Sequence, residues 1–205
     1  MTTRTIAVVT AGLSEPSSTS LLGARLAEAA TAALRERGDD VLVELIELRP
    51  LAHQLADNLL TGFAAADLAR AQATIAGADA VIAVTPVFSA SYSGLFKTFF
   101  DVLEADSLAG VPVLMAATAG TARHSLVLEH ALRPLFAYLR ATTVPTGVFA
   151  ASEDWGDVSS GALADRITRA AGELAGLVSG RPARRTPDAF DQVEDFEDLL
   201  RGLES

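Results

Sequence analysis

The chain has 205 residues, half of them hydrophobic, so length and composition allow one well-filled domain or at most two small ones. A formal net charge of -10, with no long stripe of basic residues, argues against nucleic acid as a partner. The absence of cysteine excludes disulfides and thiolate metal sites, and His53, His124 and His130 lack the close spacing of zinc ligands.

The N-terminal residues lead directly into a short apolar strand. They show neither the apolar core nor the cleavage site of a signal peptide, and no later run approaches membrane-spanning length. We therefore expect a cytoplasmic protein that does not contact a membrane.

Apolar runs of strand length recur along the chain, and most of them are continuous rather than alternating. Strands covered on both faces need this pattern, which favours a parallel sheet. Because helical periods separate the runs, the sequence predicts an α/β fold with a doubly wound, five-stranded parallel sheet of flavodoxin-like order 2-1-3-4-5. The five runs lie at residues 5–10, 41–48, 80–85, 111–118 and 142–150.

Four segments carry the helical predictions. A helix after the first strand ends near Gly38, residues 49–66 are long for a connection and predict a short helix, and residues 160–179 predict the last core helix. In the helix that contains Leu128 and Leu132, Pro134 removes an amide donor. We expect that helix to bend or to widen into a π-type turn near residues 129–134.

The C-terminal segment differs in composition from the rest of the chain. We divide the sequence into a domain at residues 1–180 and a hinge with an acidic amphipathic tail at residues 181–205. From Thr186 onward the chain has seven acidic residues and one arginine. The tail therefore predicts an extra terminal helix, either with a solvated face or docked through its apolar side chains.

Hydroxyl groups crowd the loop after the first strand, where a helix begins. Helix amides, the positive end of the helix dipole and several hydroxyls together suit a phosphate. Alternatively, one of the hydroxyls only caps the helix. Because neither GxGxxG nor GxxxxGK[ST] is present, a single terminal phosphate is favoured over a dinucleotide or triphosphate. The residues are Ser14, Ser17, Ser18, Thr19 and Ser20.

Two further loops leave the same predicted edge of the sheet. In the second loop, Pro86 is expected to end the strand, and Phe88 and Tyr92 either pack at the rim or stack on a flat heteroaromatic ligand. The third loop is small and polar around Gly120 and is expected to open a helix. Its amides would then stabilise the negative charge of a reduced flavin, and His124 either assists or is merely exposed.

Motifs in these three loops resemble one family. The segment TPVFSASYSGLFKTFFD is similar to the T-P-x-[YF]-x-x-x-Y-[SP]-G-x-[LF]-K signature of NAD(P)H-dependent FMN reductases of flavodoxin-like fold. AATAGTARHSLVLEHALRPLFAYLRA resembles their T-G-G-T-x-x-H segment and following helix, and GLSEPSSTSLL resembles their phosphate loop. The resemblance covers roughly residues 4–175. It is closest to the reductases that feed alkanesulfonate and methanesulfonate monooxygenases.

The resemblance implies that FMN places its phosphate on the first loop and its ring between the second and third loops. The implied cofactor-binding residues are Ser14, Ser17, Ser18, Thr19, Pro86, Val87, Phe88, Ser89, Thr118, Ala119, Gly120, Thr121 and His124.

The implied reaction is hydride transfer from NADH or NADPH to flavin N5, which needs no catalytic side chain or metal because the cofactors carry the chemistry. The expected role is to supply reduced FMN to a partner monooxygenase. The alternatives are a quinone, azo or metal-ion reductase that retains FMN, and a flavodoxin-like electron carrier.

The resemblance also implies a homodimer or homotetramer. Lys97 either contacts a second subunit or pairs only with Asp101 on its own helix. His130 either meets another subunit or satisfies a backbone group within its own chain.

Overall fold

The computed structural model describes residues 2–155 and 161–184, and it shows a parallel sheet between two helical layers. Side chains of neighbouring residues on β1 point into opposite cores, since Ala7 and Val9 belong to one cluster and Ile6 and Val8 to the other. The strands are β1 (Thr3–Thr10), β2 (Asp40–Glu47), β3 (Ala80–Phe88), β4 (Ser91–Tyr92), β5 (Pro112–Ala119), β6 (Thr142–Thr143) and β7 (Val148–Ala151).

The strand order confirms the predicted topology. The sheet runs β2-β1-β3-β5-β6, and β7 also pairs with β5, so the predicted fifth strand is two short strands beside one neighbour. The long strands are parallel, with Val8 opposite Leu45 on one side and Ile82 on the other. The sequence did not predict β4, which pairs antiparallel with the end of β3.

The edge strand β2 is less buried than the central strands. Only Ile46 is buried among its eight residues. Leu42 and Leu45 are 48% and 58% exposed. The reason is position, because an edge strand has a neighbour on one side only and the helical layers cover it incompletely.

The helices form two layers. α1 and α6 enclose the core on one face of the sheet, and the other face is covered by residues of α2, α3, α4 and α5. The bounds are α1 (Ser18–Arg35), α2 (Ala52–Thr61), α3 (Ala66–Gly77), α4 (Gly94–Asp101), α5 (Arg133–Tyr138) and α6 (Ala162–Ser179). In the described ranges no helix is long and apolar enough to cross a membrane.

Three helix predictions are confirmed. The connection at residues 49–66 contains a 3-10 turn at Arg49–Leu51 followed by α2, and α6 is the expected last core helix. A π-helix at Leu128–Leu132 precedes α5, with the amide of Arg133 donating to the carbonyl of Leu128. This is the widened turn expected beside Pro134. The predicted acidic tail helix lies outside the described residues.

A buried ion-pair network lies at the N-terminal ends of the parallel strands. Arg4, 5% exposed, lies 3.3 Å from Asp79 and 3.5 Å from Asp39. Asp79 also accepts the amide of Arg184 at 2.8 Å, and Arg4 donates to the carbonyl of Arg181 at 2.8 Å. The chain after α6 is therefore fixed to the body of the domain as far as Arg184.

Candidate functional site

The first loop connects β1 to α1 and is shaped by its helix cap. Ser17 is the N-cap, and its hydroxyl accepts the amide of Ser20 at 3.2 Å. A Cβ atom on Gly12 would lie 2.0 Å from Ser17 Oγ, so this close approach requires glycine. The hydroxyls of Ser14 and Ser18 are at the surface near the free amides of the first helical turn, and the Ser14 hydroxyl donates to the carbonyl of Pro16 at 3.0 Å.

The second loop is a tight hairpin joined to the start of α4. Ser89 and Ala90 have φ angles of 48° and 66°, which is the backbone of a two-residue hairpin turn with both central residues left-handed. Buried Thr85 accepts the amide of Ser93 at 3.0 Å and donates to the carbonyl of Pro86 at 2.9 Å. The hairpin is thus fixed at both ends.

Two expectations for the second loop need correction or refinement. Pro86 does not end the strand, because it lies inside β3 in register with Thr118 and the strand continues to pair with β4. The side chains of Phe88 and Tyr92 lie in different environments. Phe88 is 47% exposed at the site, whereas Tyr92 packs 6.0 Å from the ring of Phe96.

The third loop continues from β5 and lies against the first loop. Thr118 is buried, and its hydroxyl is 2.8 Å from that of Thr19, which ties β5 to the first turn of α1. Thr121 caps the next segment, accepting the amide of Arg123 at 3.4 Å. The helix expected here begins only as a 3-10 turn at Ala122–His124, so its dipole is weaker than a full α-helix would supply.

These loops enclose one cavity at the carboxyl ends of the strands. It measures about 320 Å³ and lies where the strand order reverses between β1 and β3, the usual ligand position in an open α/β sheet. The lining residues are Leu13, Ser14, Ser18, Thr19, Pro86, Val87, Phe88, Thr118, Ala119, Gly120, Ser152 and Trp155.

The structure brings nine of the thirteen candidate residues to this cavity. The other four lie elsewhere. Ser17 serves as the cap of α1, Ser89 is at the exposed hairpin turn, Thr121 caps the 3-10 turn, and His124 is exposed.

Three lining residues were missed by the sequence reasoning. Leu13 directly precedes the candidate hydroxyls of the first loop, and Ser152 and Trp155 follow β7. The sequence could have indicated Ser152 and Trp155, because the loop after the last parallel strand lies at the same carboxyl ends as the three candidate loops. Trp155 is held by Arg25 of α1, whose guanidinium carbon lies 5.0 Å from the ring centroid.

The polar groups of the cavity fit FMN. Hydroxyls of Ser14, Ser18 and Thr19 stand at the start of α1, where helix amides favour an anion. Backbone of the second and third loops and the rings of Phe88 and Trp155 supply flat apolar walls. None of the lining residues is charged, so the phosphate would be held by dipoles and hydroxyls without a neutralising cation.

A family model supplies the deciding comparison. The model described as NADPH-dependent FMN reductase matches residues 4–156, a range that contains all three loops and Trp155. The chain belongs to this family. It is an NAD(P)H-dependent FMN reductase, an oxidoreductase with FMN as cofactor and a reduced nicotinamide nucleotide as substrate.

Curated relatives and solved structures agree with this assignment. "NADH-dependent FMN reductase SfnE" of Pseudomonas putida is 39% identical over 88% of this chain and 95% of the relative. "FMN reductase (NADPH)" of Pseudomonas aeruginosa is 37% identical over 86% and 93%. An oxidoreductase structure from Corynebacterium diphtheriae is 48% identical over 89% of this chain and 100% of that one, with a TM-score of 0.86. The apo form of an NADH:FMN oxidoreductase (EMOB) is 27% identical over 95% and 99%, with a TM-score of 0.73.

Proposed function

We propose that this reductase binds FMN reversibly and supplies the reduced flavin to a partner flavin-dependent monooxygenase. The observation that carries the proposal is the uncharged lining of the FMN cavity. An arginine–phosphate pair would add strong charge-assisted hydrogen bonds. Hydroxyls and helix amides alone bind a phosphate more weakly, which suits a flavin that must leave after reduction.

The chain's residues position the reaction and do not take part in it covalently. Bound FMN would supply the hydride acceptor. Ser14, Ser18 and Thr19 would hold its phosphate end, and Val87, Phe88 and Gly120 would hold its ring. Phe88, 47% exposed, lies on the open side of the cavity, where the nicotinamide nucleotide would enter. This orientation is the protein's contribution to the rate.

Flavin dependence tests the proposal. The purified protein should be colourless, bind FMN with a Kd of about 1 μM or weaker, and oxidise NAD(P)H only when FMN is added as a saturating substrate. A yellow preparation with one FMN per chain and a rate independent of added FMN would instead identify a reductase that retains its flavin. Flavin reduced by artificial donors but never by NADH or NADPH would indicate an electron carrier.

We also propose that the protein acts in the cytoplasm as a homodimer or homotetramer. Lys97 pairs with Asp101 on its own helix, and both side chains are partly exposed. Because both side chains are partly exposed, a second subunit could contact them on the surface of α4. Lys97→Ala should lower the mass measured by sedimentation more than it lowers FMN affinity. An unchanged sedimentation profile would assign Lys97 to the helix pair alone.

The exposed side of the π-helix and α5 supports a second contact between subunits. Leu126 and Tyr138 are 64% and 84% exposed, and His130 and Pro134 lie between them at four-residue spacing. Apolar groups exposed together mark interaction surfaces. Light scattering on the wild type and on His130→Phe should show a change in mass if this side is an interface. A mass unchanged in His130→Phe would remove His130 from the interface.

A further inference from the structure

A second cavity lies on the other side of the first loop. It measures about 470 Å³ and is bounded by the loop after β1 and by the connection from β2 to α2. Ser14 lines both cavities, so the two sites are neighbours at the same edge of the sheet. The family assignment gives no role to this second cavity, which we call the β1–β2 cavity.

The β1–β2 cavity contains a buried hydroxyl without a partner. Thr10 ends β1 and lines the cavity, and it is only 1% exposed. Its Oγ1 atom has no hydrogen-bond partner among the described residues. Since an unpaired buried hydroxyl is costly, this atom indicates that a polar group of a ligand belongs beside it.

Carboxylates outnumber the fixed positive charge around the β1–β2 cavity. Glu47 at the end of β2 lines it together with Glu15, Arg49 and His53. Arg49 Nη1 lies 2.6 Å from Glu15 Oε1, so the positive charge is already compensated. Glu47 is therefore left as an acceptor, and it repels an additional phosphate placed in this cavity.

We propose that the β1–β2 cavity binds the adenosine ribose of the nicotinamide nucleotide and makes the enzyme prefer NADH over NADPH. Glu47 accepts hydrogen bonds from the ribose hydroxyls, and Thr10 Oγ1 pairs with the nucleotide. Glu47 would repel the 2′-phosphate of NADPH, and Arg49 would attract it only weakly because Arg49 is already paired with Glu15. The inference rests on the reductase activity, because the nicotinamide end must reach the adjacent flavin.

Binding of nucleotide fragments tests the site without turnover. Calorimetry on the flavin-free protein compares 5′-AMP with adenosine 2′,5′-bisphosphate, which differ only at the 2′ position. The wild type should bind 5′-AMP about tenfold more tightly. Equal affinities, or tighter binding of the bisphosphate, would overturn the proposed preference.

Glu47→Gln is the decisive variant because it keeps the side-chain shape and removes the charge. The proposal expects about a tenfold loss for 5′-AMP, a gain for the bisphosphate and a reversed preference. Glu44→Gln is the matched control on the same strand, because Glu44 is exposed but does not line this cavity. The same shift in both variants would mean a long-range charge effect and would contradict a site at Glu47.

Thr10→Val separates a ligand contact from a structural role. If Thr10 Oγ1 contacts the nucleotide, valine should weaken 5′-AMP several-fold, while thermal stability stays constant or rises because an unpaired buried hydroxyl is removed. Unchanged 5′-AMP affinity would remove Thr10 from the site. An affinity loss that accompanies a fall in stability would count as a packing defect and against the contact.

Steady-state kinetics distinguish this inference from the proposed function. Glu47→Gln should raise KM for NADH and lower it for NADPH, while FMN reduction by reduced nicotinamide mononucleotide, which has no adenosine, should not change. A variant equally slow with the truncated donor would overturn the adenosine site and leave the reductase function intact. Failure of the wild type with every nicotinamide donor would overturn the function itself.

Discussion

In the function that we propose, single hydroxyl groups recognise the phosphate of FMN. The cavity is lined by Ser14, Ser18 and Thr19, and no charged side chain lines it. Their roles differ in the structure, because Ser18 is exposed at the first residue of α1 whereas Thr19 is buried against Thr118. The effect of each substitution should follow from this difference.

Ser18→Ala should weaken FMN binding about tenfold, because a hydrogen bond to a charged phosphate contributes about 1.5–3 kcal/mol. Riboflavin, which has the same ring and no phosphate, should lose much less affinity. Fluorescence titration of both flavins measures the difference. Equal losses would show that Ser18 acts through the ring or the fold and not through the phosphate.

Thr19→Ala should affect both flavins. Its hydroxyl is 2.8 Å from that of buried Thr118, so the alanine variant leaves Thr118 unpaired at the wall of the FMN cavity. We expect a loss of about 1–3 kcal/mol in the free energy of unfolding. Denaturant unfolding without flavin measures it. An unchanged unfolding curve together with weaker FMN binding would assign Thr19 to the phosphate alone.

At the scale of single residues, the sequence predicted where the cavity lies better than it predicted which residues line it. The rule that ligands bind beyond the carboxyl ends of parallel strands located all three loops. The rule does not say which of several adjacent hydroxyls is used up in capping, so Ser17 could not be separated from Ser18. Trp155 was missed because the loop after the fifth strand was not considered as part of the site.

At the scale of elements, the π-helix is the feature that Pro134 made predictable. The missing amide at Pro134 prevents a regular hydrogen bond to His130, and the Leu128–Leu132 turn widens. Arg133 then holds the widened turn against the sheet. Its guanidinium donates to both carboxylate oxygens of Glu129, at 2.5 and 2.8 Å, and to Thr143 of β6 at 2.9 Å.

The Glu129–Arg133 pair should make stability depend on pH. Hydrogen bonds from Arg133 hold the pKa of Glu129 below its ordinary value, and they outweigh the opposite effect of partial burial. A lowered folded-state pKa gives stability that is present above the unfolded pKa and lost as the pH falls through the folded one. Glu129→Gln should therefore flatten the loss of stability between about pH 5 and about pH 3.

Urea unfolding at several pH values provides the measurement. Glu104→Gln is the control, since Glu104 is an exposed glutamate in the loop after α4. Because both Glu129 and Arg133 are partly exposed, the change should be small at high salt. Identical profiles for the wild type and Glu129→Gln would show that the pair contributes nothing to acid sensitivity.

The apolar pattern did not predict that the fifth strand is divided into two short strands. Residues 142–150 look like one run, but Pro145 cannot donate to a strand ladder, and Gly147 packs where a Cβ would lie 3.0 Å from Leu128. The chain therefore pairs with β5 twice, through β6 and through β7. The antiparallel β4 was equally hidden, because two residues give too short a pattern to detect.

At the scale of the whole molecule, the Arg4 network joins the two ends of the described chain. Asp79→Ala removes one of two carboxylates beside buried Arg4, and also the acceptor of the Thr5 amide. Breaking a buried pair in this way costs about 3–5 kcal/mol. Asp67→Ala, which breaks the exposed pair with Arg70, should cost at most about 1 kcal/mol.

Thermal and urea unfolding of the two variants, with FMN binding recorded in parallel, test this difference. The Arg4 network lies at the N-terminal ends of the strands, whereas the FMN cavity lies at their carboxyl ends. FMN affinity should therefore be retained in Asp79→Ala at temperatures where it is folded. Similar unfolding for both variants would mean that the Arg4 network contributes little.

The boundary between domain and tail is still a prediction, and a truncation tests it. Both cores and the FMN cavity are built from described residues, and the chain is anchored as far as Arg184 through Asp79. A protein ending at Arg185 loses seven acidic residues and one arginine, which changes the net charge from -10 to -4. We expect unchanged FMN affinity and NAD(P)H oxidation, and a melting temperature within a few degrees of the full chain. Loss of FMN binding in the shortened protein would place the acidic tail at the site and contradict a domain complete at residue 180.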